Sequence, residues 1–195
     1  MTPEEVVTRH LHESIATKQR LLQECLGDIL AAGKLMADAI ADGHKLLFCG
    51  NGGSAADSQH FATELVVRLS ADFERDALPA IALTVDTSLL TACANDYGYA
   101  RVFSRQVEAL GQEGDCLVGI STSGGSENVV LALEAAQRRG LRTVGWVGQR
   151  GGRVAELADV AIRVPSLVTS HIQESHLAIG HVLCELVERL ACGRV

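Results

Sequence analysis

Five short apolar segments alternate with stretches of helical periodicity in this chain, and this alternation constrains the fold more than any other feature. The predicted strands cover residues 45–49, 80–85, 115–120, 142–147 and 160–164. Short apolar runs are typical of strands buried on both faces, which occur in parallel sheets covered by helices. The pattern therefore predicts an α/β fold with a parallel sheet at its centre.

Helical periodicity occupies the intervals between these strands and both ends of the chain. The predicted helices cover about residues 54–69, 88–94, 102–109, 126–139 and 154–157, and a long amphipathic helix covers about 170–190. Two more helices precede the first strand: Thr2 suits the N-cap of one, and the other covers about 26–41. Because no strand precedes them, we expect residues 1–43 to cover a subunit interface, within a single domain that spans 1–195.

The composition and charge of the chain argue against several classes of protein. Hydrophobic residues make up 47% of the chain and aromatic residues 4%, so small aliphatic side chains fill the predicted core. The net charge of −7 opposes non-specific contact with nucleic acid or an anionic membrane. No segment approaches 18 consecutive apolar residues, and residues 1–5 lack the basic-then-apolar order of a signal peptide. We expect a cytoplasmic protein with no membrane span and no nucleic-acid partner.

The cysteines support the same compartment. None of the six belongs to a C-x-x-C pair. We expect them to be buried, reduced thiols with a structural role, as in proteins of a reducing cytoplasm. They are Cys25, Cys49, Cys93, Cys116, Cys184 and Cys192.

Two glycine- and serine-rich loops each follow a predicted strand and precede a predicted helix. The first is Gly50-Asn51-Gly52-Gly53-Ser54 and the second is Ser121-Thr122-Ser123-Gly124-Gly125-Ser126, with Ser126 as the expected N-cap. Glycines allow close backbone approach to a ligand, and free N–H groups at a helix start attract an anion. Each loop alone is also compatible with a simple capped turn. Two of them at the carboxyl ends of parallel strands favour a phosphate site.

Two nucleotide-binding patterns are alternative interpretations of the glycine-rich loops. Gly50-x-Gly52-x-x-Ala55 fits the loose dinucleotide fingerprint, which is followed by an acidic residue about 20 residues further on. Asp72 and Glu74 are near that distance but lie in a polar stretch before the next predicted strand. Asp86 ends that strand but lies too far along the chain. The nucleotide P-loop is absent, because no Gly-Lys-Ser/Thr follows either glycine cluster. The sequence therefore favours a phosphate site over either nucleotide-binding pattern.

His60 and Glu64 stand four residues apart on the helix that follows the first loop, which places them on one helix face. Divalent metals bind such pairs readily, although an isolated pair is more often a solvated polar face. His60 is six residues from Ser54, or roughly 9 Å along a helix. A sugar phosphate can bridge that distance.

The last predicted helix carries three of the seven histidines within eleven residues. Glu174 and His181 share a helix face best, while Gln173 and His181 lie about 80° apart, which still permits one site. Spacing alone does not choose between Gln173 and Glu174. We also expect at least one of His171, His176 and His181 to be an ordinary surface histidine.

Taken together in order, these motifs closely resemble those of the phosphoheptose isomerases of the sugar isomerase (SIS) superfamily. The resemblance covers about residues 40–192. The matching motifs are Gly50-Asn51-Gly52-Gly53-Ser54, Gln59-His60-x-x-x-Glu64, Asn95-Asp96-Tyr97-Gly98, Ser121-Thr122-Ser123-Gly124-x-Ser126 and Ile172-Gln173-Glu174-x-His176-x-x-x-x-His181.

The resemblance implies a five-stranded parallel sheet with flanking helices, a flavodoxin-like three-layer arrangement, assembled as a homotetramer with sites between subunits. It implies conversion of D-sedoheptulose 7-phosphate to D-glycero-D-manno-heptose 7-phosphate through an enediol, at the start of heptose synthesis for lipopolysaccharide or other surface glycans. It favours Gln173 over Glu174 as a ligand, and it makes Glu64 the principal acid/base with His181 as its partner. The implied zinc ligands are His60, Glu64, Gln173 and His181. The implied substrate-binding residues are Asn51, Gly52, Gly53, Ser54, Glu64, Asn95, Asp96, Ser121, Thr122, Ser123, Ser126 and Gln173.

Two non-enzymatic functions also occur in this superfamily. One is a protein that binds the bacterial replication initiator, in which the pair matching Glu64 and His181 is not kept. The other is a regulatory module that senses a sugar phosphate and usually accompanies a DNA-binding domain. Both Glu64 and His181 are present here, and residues 1–44 are too acidic to resemble a DNA-binding domain. The isomerase is therefore the favoured interpretation.

Overall fold

A computed structural model describes residues 1–193, and a five-stranded parallel sheet lies at its centre. The strands are β1 (Leu46–Gly50), β2 (Ala80–Ala82), β3 (Cys116–Ser121), β4 (Arg142–Gly148) and β5 (Val160–Val164). Their order across the sheet is β2-β1-β3-β4-β5, and every neighbouring pair is parallel. The expected flavodoxin-like parallel sheet is confirmed. Strand order reverses between β1 and β3, so a crevice opens there at the carboxyl edge.

Eight α-helices and one 3-10 turn connect and cover these strands within the described residues. The helices are α1 (Pro3–Glu24), α2 (Leu26–Ala41), α3 (Gly53–Val66), α4 (Thr87–Tyr97), α5 (Ser104–Leu110), α6 (Glu127–Arg138), α7 (Gly152–Leu157) and α8 (Thr169–Ala191), and the 3-10 turn is Tyr99–Arg101. Thr2 caps α1 as expected, in a reciprocal capping box with Glu5.

Three predicted elements end three residues away from the observed position, and one of them is the helix 88–94, which continues to Tyr97. The predicted strand 80–85 ends at Ala82, because this edge strand pairs only with β1 and the chain turns toward Asp86, whose side chain caps α4. The predicted helix 54–69 ends at Val66. There the carbonyls of Glu64 and Leu65 accept hydrogen bonds from Arg75 and from the backbone of Leu78 instead of from the next helical turn.

Helices cover both faces of the sheet, so the protein has three layers. On one face α2, α3 and α8 enclose a core that includes Phe48, Phe61 and Trp146. On the other face α5, α6 and α7 enclose a second core around Leu117 and Leu133. The first helix lies outside these layers against α2 and α8.

Apolar side chains remain exposed on α1 and the first half of α2. They are Val6, Val7, Leu11, Ile15, Leu22, Leu26 and Leu30. In contrast, the inner face of α2 is part of the core, where Ala32 and Met36 are fully buried. A subunit interface over residues 1–43 therefore stays a prediction, as does the single domain 1–195, whose last two residues lie outside the described part.

Five of the six cysteines are buried free thiols. Burial raises the pKa of Cys49 and of Cys184 to about 12, so both are poor nucleophiles. The expectation was wrong for Cys192, which is exposed because it follows the last turn of α8. Across the helices of residues 1–193, none combines the length and the apolar character that a membrane crossing requires.

Candidate functional site

The first loop joins β1 to α3 at the carboxyl edge of the sheet. Gly52 is the N-cap of α3 and has φ 56° and ψ −120°, a conformation that favours glycine. Asn51 is held by its side chain: it exchanges two hydrogen bonds of 2.8 Å with the amide of Asn128 and accepts a third from the Tyr99 hydroxyl at 2.8 Å. Asn128 and Tyr99 are partners that the sequence did not reveal.

The second loop joins β3 to α6 beside the first. The hydroxyl oxygens of Ser121 and Ser126 lie 2.8 Å apart, and that of Ser123 lies 3.4 Å from Ser121. Ser126 occupies the N-cap position, as expected, but its hydroxyl binds Ser121 and makes no hydrogen bond to an α6 backbone N–H. The loop therefore presents a cluster of hydroxyl donors at the start of α6.

A polar cavity of about 170 Å³ adjoins the second loop. Thr122 and Ser123 line one side of it, and Gln149 and Arg150, which follow β4, line another. The cavity thus combines hydroxyl groups with one basic side chain, although the chain as a whole is acidic. This combination suits a small anionic group.

Helices α3 and α8 bring His60, Glu64 and His181 together. The Nε2 atoms of His60 and His181 are 2.7 Å apart, and His60 Nε2 lies 3.4 Å from a carboxylate oxygen of Glu64. All three side chains are partly buried. Among residues 1–193 this is the group of His, Cys, Asp or Glu side chains whose ligand atoms, within 4.8 Å of one another, could hold a metal ion.

Gln173 lies on α8, eight residues before His181, and contacts a carboxylate of α3 that sequence reasoning missed. Its amide nitrogen donates to both carboxylate oxygens of Asp57, each at 2.9 Å. Because a carboxylate only accepts, the nitrogen must face Asp57, and the Gln173 oxygen then points away from it. Burial raises the pKa of Asp57, while the Gln173 hydrogen bond and the nearby His60 and His181 oppose that rise. The spacing of Asp57, His60 and Glu64 along one face of α3 was the available signal.

Glu174 faces away from this site, toward α1. Its carboxylate accepts a hydrogen bond from Ser14 at 2.6 Å and contacts His10 at 2.8 Å and Lys18 at 3.7 Å. The Ser14 hydrogen bond lowers the pKa of Glu174, with smaller contributions from His10 and Lys18. Gln173 and Glu174 are adjacent on α8 but face different helices, a difference that spacing alone did not predict.

The expectation of an ordinary surface histidine on α8 was wrong. His171 and His176 are buried and His181 is partly buried, because α8 is covered by the sheet, α2 and α3 along much of its length. His176 is 3.3 Å from the carbonyl oxygen of Val147, and its burial lowers its pKa to about 4. His176 is therefore neutral at physiological pH.

Asn95 and Asp96 lie near the end of α4 and are exposed in the single chain. The amide of Asn95 donates to Asp96 at 2.8 Å. Neither side chain hydrogen-bonds to the two loops within the described residues. Asp96 instead lines a mainly apolar cavity of about 330 Å³ with Cys93 and Arg105. The structure of one chain thus does not join these two expected site residues to the others.

Comparisons with known proteins identify the family. A model of the SIS domain matches residues 9–148. A phosphoheptose isomerase of Akkermansia muciniphila is 55% identical over 179 residues, covering 92% of this chain and 94% of the relative. The structure of phosphoheptose isomerase GmhA from Neisseria gonorrhoeae superposes with a TM-score of 0.89 at 44% identity, covering 95% of this chain and 98% of that one. A phosphoheptose isomerase structure from Francisella tularensis gives a TM-score of 0.92 at 36% identity, covering 97% and 100%.

These similarities extend over nearly the whole chain, through both loops and through the helices that carry His60, Glu64 and His181. The chain therefore belongs to the SIS domain family and, within it, to the phosphoheptose isomerases.

Proposed function

We propose that this protein is a sugar-phosphate aldose–ketose isomerase that converts D-sedoheptulose 7-phosphate to D-glycero-D-manno-heptose 7-phosphate, the first step in making a heptose for surface glycans. The observation that carries the proposal is that Glu64 of α3 and His181 of α8 meet in one group with His60, and that α3 begins at the first glycine-rich loop. The family relatives named above support the substrate.

The phosphate group is assigned to the second loop and the sugar to the crevice between the loops. Hydroxyl donors clustered at the start of α6 suit a phosphate, and Asn51, held by Asn128 and Tyr99, suits sugar hydroxyls. The proposed substrate-binding residues are Asn51, Gly52, Gly53, Ser54, Glu64, Asn95, Asp96, Ser121, Thr122, Ser123, Ser126 and Gln173.

The chemistry requires one carbon-bound proton to move between adjacent carbons. In the proposed mechanism the Glu64 carboxylate removes a proton from C1 of the ketose, which leaves an enediolate, and the protonated Glu64 returns it to C2. His181 exchanges protons with the oxygens on C1 and C2. Glu64 and His181 both contact His60, so one substrate can reach both side chains.

The donor set also fits a metal. The two imidazoles and the carboxylate that meet here are ligand types that zinc takes, and the proposed ligands are His60, Glu64 and His181, with the Gln173 amide oxygen as the fourth. When bound, such an ion would polarise the substrate oxygens and stabilise negative charge on the enediolate. A carboxylate that coordinates a metal is a weak base. Proton transfer by Glu64 therefore requires it to be detached from the metal. A neutral amide ligand favours weak, exchangeable binding.

We further propose that the protein is a cytoplasmic homotetramer with sites between subunits. The exposed apolar side chains of α1, including Leu11 and Ile15, support an interface there. An assembly of this kind would also give exposed Asn95 and Asp96 a place near a neighbouring site.

Turnover of sedoheptulose 7-phosphate by the full-length protein tests the function, with fructose 6-phosphate as a control substrate. Activity that a chelator abolishes and zinc restores would support both the reaction and the metal. Activity indifferent to chelator would support the isomerase without a required metal. Folded protein that turns over no heptose phosphate under either condition would reject the proposal.

A further inference from the structure

A buried ion pair joins Arg75 and Glu188 behind the proposed acid/base. Their side chains are 2% and 3% exposed, and the guanidinium Nη2 lies 2.6 Å from the Glu188 carboxylate. Arg75 lies in residues 67–79, the segment without regular structure between α3 and β2. No part of the proposed substrate or metal site accounts for this pair.

All five donors of the Arg75 guanidinium have a partner. Two contact Glu188, one donates to the carbonyl of Glu64 at 2.9 Å, and two donate to the carbonyls of Asp76 and Val67. Glu64 and Val67 lie at the carboxyl end of α3, where the last carbonyls of a helix lack helical partners. Arg75 therefore caps α3 with a positive charge, at the end where the helix dipole favours one.

Glu188 connects this cap to α8. It lies seven residues, or two helical turns, beyond His181 on the same helix, and it also accepts a hydrogen bond from the backbone of Leu69 at 3.2 Å. Cys184 lies between them: burial raises its pKa to about 12, and the charges of Glu64 and Glu188 add to that rise. The ion pair thus ties the backbone of Glu64 to the helix that carries His181.

We infer that Arg75, through its ion pair with Glu188, is a positioning residue that holds the Glu64 carboxylate in register with His60 and His181. A buried ion pair is weak evidence for stability, because apolar residues of similar volume often stabilise a core equally well. Arg75 binds carbonyls of α3 and the Glu188 carboxylate of α8 at the same time, so it fixes the last turns of α3 relative to α8. An apolar pair makes no such hydrogen bonds. The inference rests on the proposed isomerase function.

The test replaces the pair by apolar residues, in Arg75→Met combined with Glu188→Met, so that neither charge is left buried alone. We expect the melting temperature to fall, because the backbone groups that Arg75 and Glu188 bind lose their partners, while the protein stays folded at the assay temperature. We also expect kcat to fall between about tenfold and a hundredfold, as for a small misplacement of a catalytic group, with KM nearly unchanged. The matched control is Arg189→Met with Glu185→Met, which removes an exposed ion pair from the same helix and should leave kcat unchanged.

A second variant decides the matter if the double variant fails to fold. Arg75→Lys keeps the charge but cannot reach Glu188 and both α3 carbonyls at once, so kcat should fall while the melting temperature stays close to that of the wild type. Unchanged kcat in a folded variant, or an equal loss in the control, would overturn the inference. Absence of turnover in the wild type would instead reject the proposed function, so the two failures are distinguishable.

Discussion

His60 and His181 share a hydrogen bond between their Nε2 atoms, at 2.7 Å, although they are 121 residues apart in the chain. One nitrogen must carry the proton and the other must accept it. Glu64 lies 3.4 Å from the same His60 nitrogen. Proton donors and acceptors from α3 and α8 therefore converge at one point.

Glu64→Gln should remove the proposed acid/base while preserving size and hydrogen bonding. We expect kcat to fall by about 10²–10⁴-fold, with KM within about threefold of the wild type. Steady-state kinetics on sedoheptulose 7-phosphate measures both. Glu174→Gln is the matched control, because that carboxylate faces Ser14 and His10 on α1, and it should retain kcat. Near-normal turnover by Glu64→Gln would remove Glu64 from the chemistry.

Ser123→Ala combined with Ser126→Ala should weaken phosphate binding. Each lost hydrogen bond to a charged group costs about 1.5–3 kcal/mol, so KM should rise by more than about a hundredfold while kcat changes far less. The control is Ser70→Ala, whose hydroxyl accepts a hydrogen bond from the backbone of Asp72, beyond the other end of α3. A KM that stays at the wild-type value in the double variant would place the phosphate elsewhere.

The strands and helices were largely predictable because their signals are local. Apolar runs marked all five strands, and the predicted β5 and α2 have the bounds found in the structure. The boundaries that failed depend on distant partners. The end of α3 is set by Arg75, eleven residues beyond Glu64 and in a segment without periodicity.

The site was predictable only as far as helix geometry and family resemblance reach. Spacing placed His60 with Glu64, but it did not separate Gln173 from Glu174, because the choice depends on which neighbour packs against each side of α8. In the structure Gln173 faces Asp57 of α3, and Glu174 faces α1. Asp57 itself resembled any polar helix residue until its burial was known.

Asp57→Asn should loosen Gln173 and weaken the proposed metal site. An amide nitrogen in place of one carboxylate oxygen would face the Gln173 nitrogen, and the two donors repel each other. We expect zinc affinity to fall by about 10–100-fold, as for other partners that orient a ligand. Competition against a chromogenic chelator measures this without reference to activity. Asp28→Asn, an exposed position on α2, is the control, and equal zinc affinities in the two variants would contradict the assignment.

Gly180→Ala should disturb the packing of α3 against α8. A methyl group at position 180 would overlap the ring of Phe61, which contacts the rings of both His60 and His181, with centroid distances of 5.4 and 6.0 Å. We expect a loss of about 1–3 kcal/mol in the free energy of unfolding and a lower kcat. Gly27→Ala on α2 meets nothing within 4 Å and should be neutral or slightly stabilising. Thermal unfolding compares the two, and similar melting temperatures would show that Phe61 can move aside.

His176 should make the protein sensitive to mild acid. Burial lowers its pKa from 6.5 to about 4 in the folded state, so between these values the unfolded chain binds more protons than the folded one. Above about pH 6.5, His176 is neutral in both states and does not reduce the free energy of unfolding. As the pH falls toward 4, the free energy of unfolding decreases by at most about 3 kcal/mol, because the unfolded chain is protonated first. Urea unfolding at several pH values should show a flatter pH dependence for His176→Gln than for the wild type. His12→Gln, at an exposed position on α1, should keep the wild-type slope. Parallel profiles for His176→Gln and the wild type would mean that His176 becomes protonated without unfolding.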